Sequence, residues 1–192
     1  MTRKEAILKS ATKLFAKKGF HSTPTSEVAK VAGVAEGTIF HHFRNKEGVL
    51  KQIFEEIVDI YIDGIESQRK EASDGLEAIE NVISFHIRFI EERSEEVLVI
   101  LRDLPFQLME QSSPFRETVT DLIHSVLRIF KDCIDQGKKD GTIRDLPSEK
   151  MAFILHGMLI GLSRQEFLSP IKSPDISKEV LDFCRYGLGR QD

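Results

Sequence analysis

Asp121 and His124 stand three residues apart, the spacing at which one helical turn presents a carboxylate and an imidazole side by side. A di-iron bundle site needs two Glu-x-x-His pairs with further carboxylates, and this single pair does not supply them. His41 and His42 are adjacent, so on a helix they point to different faces and do not make a metal chelate. Cys133 and Cys184 lie far apart among apolar neighbours, which excludes a Cys-x-x-Cys redox or zinc pair and a secreted disulfide scaffold. The motifs Gly-x-Ser-x-Gly, Gly-x4-Gly-Lys-Ser/Thr, Gly-x-Gly-x-x-Gly and His-Glu-x-x-His are absent. The expectation is a chain with no catalytic residue, no metal and no cofactor, which is not an enzyme.

The chemistry that remains is electrostatic. The 192 residues carry a net charge of -4, yet nine Lys/Arg and four acids fall within the first fifty, so that segment is +5 and the rest -9. A basic head on an acidic body fits a head that meets a polyanion while the body stays clear of it; charges drifting by chance on wet helix faces would give the same arithmetic. A hydrophobic content of 41% is enough for a sizeable core and excludes a disordered or fibrous chain. The first nineteen residues are charged throughout and lack an apolar signal region, and no run approaches the ~20 apolar residues of a spanning helix. A soluble cytoplasmic protein with no membrane partner is expected.

The elements that must position these charges are helical. No period-2 run of β-branched residues flanked by hairpin turns occurs. Ile7, Leu8, Ala11, Leu14 and Phe15 recur at helical spacing with lysines opposite, which predicts a helix from about Arg3 to Lys18 ended by Gly19. Two short helices follow: one capped by Thr25 with Val28, Ala29 and Ala32 inward, and, after a turn at Gly33, one over about Glu36 to Phe43. Asn45 can cap a long helix from Lys46 to about Gln68. Further helices are predicted near 75–92, 95–111, 115–137, 148–168 and 175–188, with Pro105 kinking or breaking the 95–111 segment.

Two short helices about a glycine turn, braced by a third, meet the packing demands of a helix-turn-helix. Val34, Ile39 and Phe43 can bury the inner face of the second helix against Leu14 and Phe15, leaving its outer face free for a major groove. Here the sequence TSEVAKVAGVAEGTIFHHFRNKEGVL resembles the DNA-binding signature of the TetR family of transcriptional regulators. The resemblance covers about the first fifty residues at motif level; the remainder fits in length and helical pattern.

The resemblance implies an all-α fold: a helix-turn-helix head, residues 1–46, joined by a long helix to a helical ligand-binding and dimerisation domain, 47–192. Ser26 and Glu27 would lie near a phosphate strand. Gly37, Thr38 and His41 would sit at base-edge or backbone contacts, and His42 and Lys46 would hold phosphates. Thr38 can bond a phosphate or touch a thymine methyl, and His41 can donate to a base edge. Two positions depart from the family pattern: Ala35 replaces the usual Ser or Thr cap, and Phe40 replaces a Tyr whose hydroxyl would reach a phosphate.

In the body, Met151, Leu155, Met158, Leu159 and Leu162 recur at helical spacing, and Gly157 and Gly161 stand four apart. With Val180, Phe183 and Cys184 of the last helix they are read as the seam of a homodimer, against the alternative of internal packing. A dimer presents two reading helices to grooves one duplex turn apart, so the expected partner is a palindromic operator in double-stranded DNA. Phe85, Phe89, Leu98, Leu101, Phe106, Met109 and Phe130, with Arg102 and His156 as polar anchors, are read as the lining of a site for an apolar or amphipathic small-molecule effector. The expected function is a ligand-responsive repressor released from DNA by its effector, release being the commoner behaviour in the family. A helical adaptor or ligand-binding protein that does not bind DNA is the alternative.

Overall fold

The computed structural model describes residues 1–109, 113–172 and 174–190, with side chains described at all of these except 105–109. Nine helices occur among the described residues: α1 Arg3–Lys18, α2 Thr25–Ala32, α3 Glu36–Phe43, α4 Lys46–Glu71, α5 Gly75–Glu92, α6 Ser94–Met109, α7 Arg116–Asp140, α8 Ser148–Leu168 and α9 Ser177–Leu188. The all-α class expected from apolar periodicity is the class observed. Strand pairing among the described residues is limited to one isolated bridge, Ile143 with Gly189. No described helix is long and apolar enough to cross a membrane.

The chain packs as two units. The first contains Met1–Asp59 and Arg93–Thr118, and the second Ile60–Glu92 and Val119–Asp192. Helix α4 therefore contributes its first half to one unit and its second half to the other. The first unit is wider than the three-helix head alone, because α6 packs on α1 within it.

In the first unit, α1 starts on a capping box: the Glu5 amide donates to Thr2 Oγ1 at 3.2 Å and the Thr2 amide to Glu5 Oε2 at 2.9 Å. Gly19 ends it at φ 89°, a left-handed conformation that favours glycine. Ile7, Ala11 and Phe15 point inward and are buried with Phe20, Val28, Ile39, Leu50, Phe54 and Phe115. The Phe15 and Phe20 rings meet edge to face at 5.2 Å.

In the second unit, Ile79, Val82 and Ile83 of α5, Ile129, Phe130 and Ile134 of α7, and Leu155 and Leu159 of α8 form the core. Arg185 forks onto Glu80 through two 2.8 Å bonds and ties α9 to α5. Backbone bonds from Arg144 to Leu188 and from Arg190 to Thr142 hold the α7–α8 loop on the end of α9.

Of the two expectations for Pro105, a kink or a break, the break does not occur: helix α6 continues through it to Met109. One local expectation is corrected. Thr25 is the first helical residue rather than the cap of α2: Pro24 occupies the cap position, and the Thr25 hydroxyl donates to Glu36 Oε1 at 2.6 Å.

Candidate functional site

The α2–α3 corner is set by Gly33, whose φ of 68° and ψ of 34° bring its amide to the Ala29 and Lys30 carbonyls at the end of α2. Ile39 and Phe43 lock the inner face of α3 into the first unit. Gly37, Phe40, His41 and His42 are exposed on the opposite side, with Thr38 half-buried beside them. Phe40 keeps 48% of its surface in water. Ala35 gives α3 no side-chain cap. Glu36 lies in its first turn, where a carboxylate is favoured, and is held there by Thr25. At the other end the chain leaves α3 through Arg44, at φ 67°, an unusual conformation for a non-glycine residue. The Asn45 amide donates to the Phe43 carbonyl across Arg44, and Asn45 Oδ1 accepts from Gly48 at 2.7 Å to cap α4 as expected.

Ser26 is exposed at the start of α2. Glu27 and Lys46, expected at phosphates, make contacts within the chain. Glu27 pairs with Lys18 at 2.5 Å. Lys46 donates to the Phe20 carbonyl at 2.9 Å and the His21 carbonyl at 3.4 Å, with its ammonium 4.5 Å from the Phe20 ring centroid. The Phe20 carbonyl also accepts the Thr23 amide at 3.2 Å, so Lys46 adds a second donor to that loop turn. Thr23 closes the same loop from within by donating to the Gly19 carbonyl at 2.8 Å.

Arg102 corrects the effector-site expectation. Its guanidinium donates to the Phe15 carbonyl, to the Ala16 carbonyl at 3.0 Å, and to Asp103 at 3.0 Å. A cation at the end of α1 meets the negative pole of that helix, where the Phe15 carbonyl also accepts the Gly19 amide, so Arg102 is a structural clamp between α6 and α1. Leu98 and Leu101 are half-buried on the same helix. The side chains of Phe106 and Met109 lie outside the described residues.

In the second unit, Phe130 is fully buried core and His156 is half-buried, with burial lowering its pKa. Phe85 and Phe89 pack with Tyr61 in an aromatic cluster, ring centroids 5.1 to 6.1 Å apart. Gly64 of α4 makes room for Phe85, because a Cβ there would collide with the ring.

Sequence reasoning missed the polar chain beside that cluster. The Tyr61 hydroxyl stands 2.9 Å from His86 Nδ1, and His86 Nε2 stands 3.1 Å from the Leu159 carbonyl and 3.0 Å from Ser163 Oγ. A carbonyl only accepts, so Nε2 carries the proton and Nδ1 receives the Tyr61 hydroxyl. Tyr61 is half-buried, and burial pushes its pKa above the ordinary value. Burial lowers His86 to about 4, keeping the ring neutral. No sequence spacing announces a group assembled from α4, α5 and α8.

The α8 and α9 candidates divide by helical phase. Leu155, Val180 and Cys184 are buried within the protomer and so are corrected to core residues, and Met151, Met158 and Leu162 are half-buried. Gly157, Gly161 and Phe183 are exposed. The outward apolar stripe runs through Phe153 and Ile154, respectively 64% and 58% exposed, and Ile160, with Phe183 and Tyr186 on α9. Burial raises Cys133 to about 12 and Cys184 to about 11, so neither is a ready nucleophile. No group of three or more His, Cys, Asp or Glu among the described residues could hold a metal ion.

A short helix pair about a left-handed glycine, braced by α1 and presenting an uncapped, outward third helix, defines a DNA-binding helix-turn-helix regulator. The chain belongs to the TetR family: residues 7–53 match the model of the bacterial regulatory proteins of that family. It is 30% identical over 139 residues to the fatty acid metabolism regulator protein of Bacillus subtilis, covering 72% of this chain and 70% of that one. It is also 30% identical to the HTH-type transcriptional regulator YhgD of the same organism, over 83% of this chain and 82% of the relative. Among solved structures, the regulator FadR from Bacillus subtilis in complex with stearoyl-CoA superposes with a TM-score of 0.80 at 25% identity, covering 95% of this chain and 98% of that one.

Proposed function

We propose that this regulator binds a palindromic operator as a homodimer, represses from it, and is released by an amphipathic acyl thioester or a related fatty-acyl compound. The observation that carries the DNA reading is the outer face of α3, where Gly37, Phe40, His41 and His42 lie open to solvent while Ile39 and Phe43 anchor the helix. Thr38 and His41 read base edges or thymine methyls, Phe40 makes an apolar contact, and Ser26 and His42 meet phosphates. Residues 1–46 carry recognition, and 47–192 carry effector binding and dimerisation. A partner that is DNA places the protein in the cytoplasm and needs no catalytic role.

The acyl class is supported by the relatives: one regulates fatty acid metabolism, and one was solved with stearoyl-CoA. Phe85, Phe89 and Tyr61 offer the apolar surface such a chain needs, with His86 and Ser163 as polar groups beside it. The outward stripe of Phe153, Ile154, Ile160 and Phe183 supplies the dimer seam. An effector that binds one arrangement of the dimer better than another shifts the population and changes the spacing of the two reading helices.

The test is selection of duplexes from a random pool by the purified dimer, followed by titration of the selected duplex with acyl-CoAs of increasing chain length. Enrichment of a two-fold symmetric site and release by long-chain acyl-CoA at concentrations that leave free CoA inactive are expected. A folded dimer that enriches nothing refutes the DNA reading. One that is released by no acyl compound refutes the effector class alone.

A further inference from the structure

An open groove in the first unit, about 680 Å³, is lined from one side by Thr2, Arg3 and Lys4 of the α1 start and from the other by Ala35, Gly37, Thr38, His41 and His42 of the reading helix. Arg3 and Lys4 are exposed, and no described residue forms an ion pair with either. Positive charge in the first turn of a helix opposes its dipole, so two cations here are placed against local stability. The acids nearby are already committed: Glu5 accepts the Thr2 amide and Glu36 accepts the Thr25 hydroxyl. The Glu5 amide is satisfied by Thr2 Oγ1 and the Ala6 amide by the Thr2 carbonyl, so the charge an anion in this groove meets is carried by the Arg3 and Lys4 side chains.

We propose that Arg3 and Lys4 form a phosphate clamp that grips the operator backbone while α3 occupies the adjacent major groove. The groove puts these cations and the base-reading side chains Thr38 and His41 on opposite walls of one concavity, so a duplex seated on α3 brings a sugar-phosphate strand to the α1 side. The contact carries no base information; it sets the register of α3. The inference rests on the DNA reading above and extends the binding surface to residues outside the α2–α3 corner.

The experiment measures affinity of the full-length dimer for its selected duplex across salt concentrations, comparing the parent with Arg3→Gln/Lys4→Gln and with Lys13→Gln/Lys17→Gln. The second variant removes the same charge from the exposed face of α1 away from the groove. One phosphate lost per protomer lowers the slope of log affinity against log salt by about 1.8 for the dimer. The gap in affinity between parent and groove variant should therefore narrow about twelvefold from 0.05 to 0.2 M salt. The Lys13/Lys17 variant should keep the parent's slope, and both variants should keep the parent's ellipticity and sedimentation coefficient. A groove variant with the parental slope, or a control variant that loses as much, overturns the clamp while leaving the DNA reading intact. A folded parent dimer that selects no duplex overturns both together.

Discussion

Replacing Arg102 by Met removes a fork while keeping most of its packing, and the structure fixes what is lost. The Phe15 carbonyl keeps the Gly19 amide at 2.8 Å, but the Ala16 carbonyl, past the end of the α1 ladder, loses its donor. Hydrogen bonds from a charged group are worth ~1.5–3 kcal/mol each, and the 31% exposure of the Arg102 side chain puts this loss at the lower end. A second effect falls on Asp103, whose side chain is only 8% exposed and whose one ion-pair partner among the described residues is Arg102. Stranding a partly solvated carboxylate adds ~1 kcal/mol or more. A total loss of ~2–3 kcal/mol corresponds to a midpoint lower by ~5–10 °C for a chain of this length. Calorimetry and far-UV ellipticity on Arg102→Met, and on Arg102→Met with Asp103→Asn, provide the assay. The second change neutralises the stranded charge and should recover about half of the loss. A single variant within ~0.5 kcal/mol of the parent, or a double variant no more stable than the single, refutes the clamp.

Stability should also depend on pH through His86, whose pKa falls from 6.5 in the free side chain to about 4 by burial. The stabilisation is complete above 6.5 and is lost as the pH falls toward 4, because the unfolded chain takes up a proton that the native ring refuses; the window spans ~3 kcal/mol. His86→Gln should flatten denaturant-unfolding stability over that window relative to the parent, and parallel profiles would remove His86 as the cause. Gly48→Ala should destabilise by ~1–3 kcal/mol although alanine is the better helix former by ~1, because its Cβ would drive into the Phe43 carbonyl oxygen. Thermal melts decide the sign, and a more stable Gly48→Ala protein contradicts the packing argument. Phe153→Asp with Phe183→Asp should sediment as a folded monomer where the parent is a dimer; a dimer that persists moves the seam elsewhere.

The helices were legible because each buries one apolar stripe, and their ends where a residue type has one job: Gly19 and Gly33 in left-handed turns, Asn45 as a cap. Thr25 misled because a threonine before an apolar run reads as a cap, whereas the preceding Pro24, with its fixed φ, holds that position. The outer face of α3 followed from Ile39 and Phe43, since burying those two leaves Gly37 and His41 outward. Helix α8 was harder, for it is apolar on more than one side: Leu155 and Leu159 serve the protomer while Phe153, Ile154 and Ile160 face out. Periodicity alone does not distinguish those two stripes. Arg102 and the Tyr61–His86–Ser163 chain depend on partners dozens of residues away, and local pattern carries no trace of such distances.

Lys46 is a basic residue of the recognition motif that also holds the chain together from within. Its ammonium has three protons; two go to the Phe20 and His21 carbonyls, and the Phe20 ring lies against the charge. Those contacts join the first residue of α4 to the loop that sets the angle between α1 and α2. Loss of operator binding in Lys46→Gln therefore has two possible causes, a missing phosphate contact or a displaced corner, and affinity alone does not separate them. Salt dependence does. A lysine that neutralises a phosphate contributes ~0.9 to the slope in each protomer, whereas one that holds a loop lowers affinity at every salt concentration and leaves the slope unchanged. With two of its three donors committed inside the chain, Lys46 is expected in the second case: Lys46→Gln should bind more weakly with the parental slope, and a slope lower by about 1.8 would return Lys46 to the phosphate backbone.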